Sequence, residues 1–265
     1  MIKKLSSERA FVLLIFSFLL TYGIFIMTVL LADVFYVSPR RLVSTLFLSE
    51  TLFAIKLSFI TSIISTFFSV LFALPGAYAL SRYEFPGKDI IYIIILLPIV
   101  LPPLIMGVSL LVFFNTSMGR FLEEHGLRLV YTVPGIIVAQ FIISSAFAVL
   151  VMKAAYDNID IRYEQSARTL GCTSLQAFYK ITLPLCRSGI IAGIVLAWAR
   201  AVGEFVPILI VAGAMHFKTE VLPTAIFLRL ETGDIEGSVS LTIIMMVISV
   251  IALLILKRLW ARPGR

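Results

Sequence analysis

Apolar residues run through this chain in blocks of about twenty or more, the length a helix needs to cross a bilayer, and short polar intervals separate them. Six such blocks are predicted as membrane spans. They cover roughly Phe11 to Leu31, Leu52 to Leu80, Ile90 to Phe114, Val133 to Met152, Gly189 to Met215 and Val239 to Leu256. The first is too long for a signal peptide and lacks a small-residue cleavage site, so it reads as a span. The second exceeds what a bilayer needs and must tilt or project, and Lys56 near its outer end can snorkel. Of the polar intervals, Met118 to Val130 is predicted as a surface helix. Leu222 to Arg229, opened by Pro223, reads as a short helix that closes the bundle or docks a partner.

The interval from Asp157 to Arg187 is the longest and most structured of these. Gly171 can adopt the left-handed conformation that ends a helix. Thr173 and Gln176 have capping-box spacing for starting another. Ile161, Leu170, Leu175, Phe178 and Ile181 offer apolar contacts, and Pro184 suits the first turn of the following span. The loop is thus two short helices with a break. It reads either as an amphipathic connector or as a stiff element that seats in another protein.

Composition agrees with a helical membrane protein. The chain has 265 residues, 60% hydrophobic and 14% charged, with mean hydropathy +1.05; a soluble domain carries more charge. The net charge of +7 is explained by topology rather than by nucleic acid. With six spans, Lys3, Lys4, Arg9, Arg82, Lys88, Lys153, Arg162, Arg168, Lys180, Arg187, Lys257, Arg258, Arg262 and Arg265 share one side, fourteen in all. Arg40, Arg41, Arg120, Arg128, Lys218 and Arg229, six, lie on the other. The positive-inside rule places both termini and the 157–187 loop in the cytoplasm of a cell-membrane protein. Cys172 and Cys186 then face a reducing compartment and stay thiols; neither has metal-ligand spacing. No Gly-rich phosphate loop ending in Gly-Lys-Ser/Thr occurs, so any ATPase is another chain.

Several residues inside the spans are candidates for the path or a gate. Pro98, Pro102 and Pro103, with Gly107, break the third span, either beside a passage or as a packing kink. Arg200 and Glu204 form an i, i+4 pair near the middle of the fifth span, read as a structural ion pair or as part of a gate. Ser144 and Ser145, after Gln140, bond between helices or line a polar path. An intramembrane serine enzyme is disfavoured, since His125 and His216 lie outside the spans. An ion-coupled carrier built on Arg200 and Glu204 is the other class to weigh.

The run Glu164-Gln165-Ser166-Ala167-Arg168-Thr169-Leu170-Gly171, with Ile181-Thr182-Leu183-Pro184 ten residues on, resembles the EAA loop of bacterial and archaeal ABC-importer permeases. Gln165 stands where that motif usually has glutamate, with Glu164 one place earlier. Leu74-Pro75-Gly76-Ala77-Tyr78-Ala79-Leu80 and Phe85-Pro86-Gly87-Lys88 are similar to the molybdate, tungstate and sulfate permeases. So are Leu97, Pro98 and Pro102, with Leu96 in place of the usual acid, and Ala199-Arg200-Ala201-Val202-Gly203-Glu204-Phe205. Val206-Pro207 is closer to polyamine or ferric-iron permeases.

The resemblance implies a single all-α transmembrane domain over 1–265, of the type I ABC-importer permease kind, with a cytoplasmic coupling helix. It implies a non-enzymatic homodimer with no cofactor of its own, two ATP-binding subunits carrying ATP-Mg, and an extracytoplasmic substrate-binding protein. Glu164 to Arg168, Gly171, Leu183 and Pro184 would couple the ATPase to alternating access for an oxyanion. No nucleic acid is expected.

Overall fold

The computed structural model describes the backbone of residues 2–260 and the side chains of residues 11–254. Arg262 and Arg265 of the charge count lie outside the described residues, as do the side chains of Lys3, Lys4, Arg9, Lys257 and Arg258. Among the described residues every regular element is helical.

Four helices are each long and apolar enough to cross a membrane: α1 (Ile2–Tyr36), α3 (Ser49–Arg82), α7 (Val133–Asp157) and α14 (Ile235–Trp260). A short helix α2 (Pro39–Leu46), capped by Ser38, links the first two and packs on α14. The described side chains of α1 are mostly exposed, and α14 is its principal contact.

The third and fifth spans are not the continuous helices that hydropathy suggests. The third divides into α4 (Lys88–Val100) and α5 (Pro103–Asn115), bent by 114°. Pro98 is accommodated inside α4; the break comes at Leu101 and Pro102, and Pro103 opens the new helix. Proline lacks an N–H, so a fresh first turn is where it costs least. The surface helix α6 (Ser117–Glu124) follows. The fifth span begins as α11 (Arg187–Val202), stops at Gly203, and resumes as α12 (Val206–Ala212). Met215 falls in the turn beyond it. The loop before α11 holds α8 (Arg162–Thr169), α9 (Ser174–Ala177), a π-turn (Phe178–Thr182) and α10 (Leu183–Leu185). A 76° bend then separates α10 from α11. Pro184 therefore starts a short helix before the bend rather than the span itself.

At the heart of the bundle α3 packs along α7. Small residues line α3 at helical spacing and are buried, among them Ser62, Ser65, Ser69, Ala73 and Ala77. In lipid there is no hydrophobic drive between helices, so small residues that let backbones approach closely supply the packing. Their hydroxyls are satisfied at home. Ser69 bonds the Ser65 carbonyl at 2.9 Å and the Ser144 hydroxyl of α7 at 2.8 Å. Such an interhelical bond contributes about 0.6 kcal/mol. On its other side α7 receives α11, where Gly189 and Gly193 leave room for Ala155 and Met152.

One end of the bundle carries the 157–187 loop; at the far end a polar clasp holds α13 (Leu222–Glu231), which Pro223 opens. Asp234 accepts from Arg41 at 3.0 Å with both oxygens and from Arg229 at 3.0 Å. Arg229 also lies 3.7 Å from Glu50. Burial pushes the Asp234 pKa up, but the Gly237 N–H and the two guanidiniums outweigh it and hold the carboxyl below its usual range.

Two outcomes follow from this packing. Gly189→Ala places a methyl against the Ala155 side chain and should destabilise the bundle by about 1–3 kcal/mol, read as a lower Tm in detergent; an unchanged Tm contradicts the α7–α11 contact. A depressed folded-state pKa stabilises above the unfolded carboxyl value of about 3.9 and is lost as pH falls through the folded one. Asp234→Asn should therefore lower Tm at neutral pH, and the gap from wild type should close in acid. A gap that persists at low pH contradicts the clasp.

Candidate functional site

The loop is anchored where α8 meets the end of α3. On α8, Glu164 and Ala167 lie one turn apart and are buried, while Gln165, Ser166 and Arg168 face out. Both carboxylate oxygens of Glu164 are taken by α3: Arg82 Nε donates to one at 2.8 Å and the Tyr78 hydroxyl to the other at 2.7 Å. The Arg82 and Glu164 side chains are 7% and 9% exposed. Arg82 also donates to the Ile159 carbonyl at 3.0 Å. Beside this pair Ser81 and Lys153 bond Asp157 at 2.6 and 2.7 Å.

The two-helix reading of the loop holds. Gly171 has φ +93°, and a Cβ there would meet nothing within 4 Å, so its role is conformational. The Thr173 hydroxyl accepts from Gln176 N at 3.2 Å while Gln176 Oε1 accepts from Thr173 N at 2.9 Å, closing a capping box. Phe178 packs against the Tyr78 ring, centroids 4.6 Å apart. Of the five apolar residues expected to make contacts, only Phe178 is buried and Ile181 is half-buried. Ile161 and Leu175 are exposed, and Leu170 is 86% exposed. Between α8 and α9 an open cleft of about 530 Å³ is lined by Gln165, Arg168, Thr169, Cys172, Thr173 and Ser174. Leu183 is half-buried and Pro184 exposed, ahead of the bend.

Inside the bundle, the two broken spans meet. A Cβ on Gly107 would lie 3.0 Å from Pro207 Cα and against Ile210, so α5 and α12 touch backbone to backbone. Gly107 is one turn beyond Pro103, and Pro207 one turn beyond Gly203; the two interruptions thus flank a single contact. Pro102 and Pro103 are exposed on the chain's surface and Pro98 is half-buried. Arg200 donates to Glu204 Oε2 at 2.8 Å. Glu204 stands past the end of α11 at the break, not in mid-helix, and its side chain is 2% exposed against 33% for Arg200. The Arg200 guanidinium also lies 5.6 Å from the Phe147 ring centroid, a cation–π contact.

Ser144 is buried glue between α7 and α3, whereas Ser145 is half-buried and bonds only within its own helix, to Ile142 O at 3.4 Å. The histidines are engaged elsewhere, His125 with the Phe121 carbonyl and His216 with Glu220. Among the described residues no group of three or more His, Cys, Asp or Glu is placed to hold a metal. Sequence reasoning missed Arg82 and Tyr78 as the partners of Glu164. Tyr78 and Arg82 share one face of α3, but nothing in the sequence directs that face to Glu164.

Residues 69–263 match the family described as the inner-membrane component of binding-protein-dependent transport systems. The chain belongs to this family. It is 36% identical over 210 residues to the molybdenum transport permease ModB of Escherichia coli, covering 76% of this chain and 90% of that one. It is 32% identical over 214 residues to the sulfate permease CysT of Salmonella typhimurium, covering 80% and 77%. With a probable molybdenum ABC transporter permease of Haloferax volcanii it shares 33% over 254 residues, 92% and 90% of the two chains. The fold is similar to a bacterial ABC transporter that imports alginate, with TM-score 0.71 at 20% identity over 86% and 85%. This chain is accordingly a permease subunit of the sulfate/molybdate type of ABC importer, a transport protein rather than an enzyme.

The Arg200–Glu204 pair lies at the α11–α12 break, with only Glu204 buried. Removing one member strands the other; because Arg200 is partly exposed, Glu204→Gln should cost about 2–3 kcal/mol, below the cost for a fully buried pair. The double variant Arg200→Met/Glu204→Leu should recover most of that loss in detergent Tm. Failure of the double variant to recover would contradict a mutually neutralising pair.

Proposed function

We propose that this chain forms the passage for an oxyanion, molybdate, tungstate or sulfate, in an ATP-driven importer working by alternating access. It acts as a homodimer, with two ATP-binding subunits on the cytoplasmic side carrying ATP-Mg and an extracytoplasmic binding protein delivering substrate. The excess of Lys and Arg on the side of the loop supports a cytoplasmic placement of that loop and both termini. The names of the curated relatives support the substrate class.

The observation that carries the reading is the two-faced loop. Its underside, Glu164, Ala167 and Phe178, is held to the bundle, while Gln165, Arg168, Leu170 and Leu175 project from it. Exposed apolar side chains rimmed by polar residues mark sites of protein–protein contact, and Leu170 and Leu175 flank the polar cleft. Ser166, Gly171, Leu183 and Pro184 shape the element without being held by the bundle as tightly. Closure of the ATP-binding pair would push this surface, and the broken spans at Pro102 and Gly203 would let the bundle switch states. Pro98, Pro103, Arg200 and Glu204 are then near the hinges of that switch, and Ser144 and Ser145 belong to the continuous α7, rather than forming an anion cage. The polyamine or ferric-iron alternative rests on Val206-Pro207, and Pro207 is accounted for as the start of α12.

Proteoliposomes holding this chain, the ATPase and the binding protein encoded beside it should take up molybdate, tungstate or sulfate only with ATP. Uptake of spermidine or ferric iron instead would overturn the substrate class. Uptake by this chain alone on an ion gradient would overturn the whole reading. Within the working complex, Gly171→Val forces a side chain into the left-handed region at about 1–2 kcal/mol. It should lower substrate moved per ATP without preventing assembly; an unaltered ratio would mean the turn plays no part in coupling.

A further inference from the structure

We infer that the buried Arg82–Glu164 pair, with Tyr78, is the joint through which movement of the loop enters the bundle, and that α3 is the helix it drives. This rests on the coupling reading of the loop above. Of the two covalent routes from the loop into the membrane, the one back to α7 passes through the irregular residues 158–161, and the one onward through α10 to α11 is interrupted by a π-turn and a 76° bend at Cys186. A displacement sent either way meets compliant links. The non-covalent route is stiffer. Arg82 and Tyr78 sit one turn apart on α3 and occupy both oxygens of Glu164. Arg82 additionally holds the Ile159 carbonyl ahead of α8. Past Gly171, Phe178 is pressed onto the Tyr78 ring, which also meets Tyr156 of α7 at 5.6 Å. One turn of α3 therefore grips the loop on both sides of its glycine.

From that turn α3 runs unbroken to the far end, Pro75 notwithstanding. There Ser58 Oγ accepts from Leu222 N at 2.7 Å, and Glu50 faces Arg229. Arg82 and Ser58 are about 36 Å apart along the helix at 1.5 Å per residue. The same rod thus connects the loop with α13 at the opposite mouth. Because Glu164 has both oxygens occupied from within, it positions the loop and is not offered to a partner protein.

The test uses the reconstituted complex with its ATPase and binding protein. Glu164→Gln and Arg82→Gln should leave ATP hydrolysis running but abolish its stimulation by loaded binding protein. Substrate moved per ATP should fall about tenfold, within the range of typical coupling energies. The charge swap Arg82→Glu/Glu164→Arg should restore part of the ratio. Tyr78→Phe, which removes one hydrogen bond and no charge, should give an intermediate ratio and serves as the deciding variant if the charge changes prevent assembly. An unchanged ratio in Glu164→Gln, or in Tyr78→Phe where it decides, overturns the inference. So does loss of ATPase binding by an otherwise folded Glu164→Gln chain, since that would make Glu164 a docking residue. Failure of the wild-type complex to move substrate with ATP would instead strike at the coupling reading itself.

Discussion

A carboxylate shut away from water at the end of an apolar bundle must be answered by the protein itself. Glu164 is answered completely, by Arg82 and Tyr78 of a single helix turn. That arrangement decides the geometry of the loop around it. It turns one face of α8 inward and leaves Gln165, Arg168 and Leu170 no place but outward. The outward face of the loop is thus a consequence of where one charge is neutralised.

The same constraint shapes the interior. Several hydroxyls along α3 bond their own preceding carbonyls, as Thr61 does with Leu57 O at 2.9 Å and Thr66 with Ser62 O at 2.7 Å. Polar groups so satisfied can line a tight interface without water, and close approach of α3 and α7 follows. The second halves of the two broken spans pack on each other, α5 on α12 at Gly107 and Pro207. Irregular backbone at membrane depth is tolerated only where protein or a wet cavity receives it; the break at Pro102 and Pro103 lies exposed on the single chain. Glu204 at one of these breaks carries its counter-ion one turn away. The bundle therefore sets the continuous helices α3 and α7 beside two jointed spans.

Hydropathy made the six spans and the two-helix loop legible, because run length and the Gly171–Thr173–Gln176 pattern are local signals. The breaks were half legible. Three prolines marked the third span, but Pro98 proved harmless inside α4, and only packing reveals which proline ends a helix. Gly203 gave no such warning, since glycine is ordinary in membrane helices, and Arg200 and Glu204 therefore looked like neighbours in a continuous one. Partners distant in sequence were not legible at all. Nothing local to Glu164 names Arg82, some eighty residues earlier, and nothing local to Asp234 names Arg41. The expectation that Leu170 and Leu175 make contacts failed within the chain because the turn at Gly171 aims both away from α3.

The central claim is that the outward row of the loop meets an ATP-binding chain while its underside does not. Site-specific photo-crosslinking in the assembled transporter tests it most directly. Probes at Leu170 and Leu175 should capture the ATP-binding subunit, and probes at Glu164 and Ala167 should capture only this chain. Capture of lipid or of nothing from Leu170 and Leu175, or of the ATP-binding subunit from Glu164, would contradict the account.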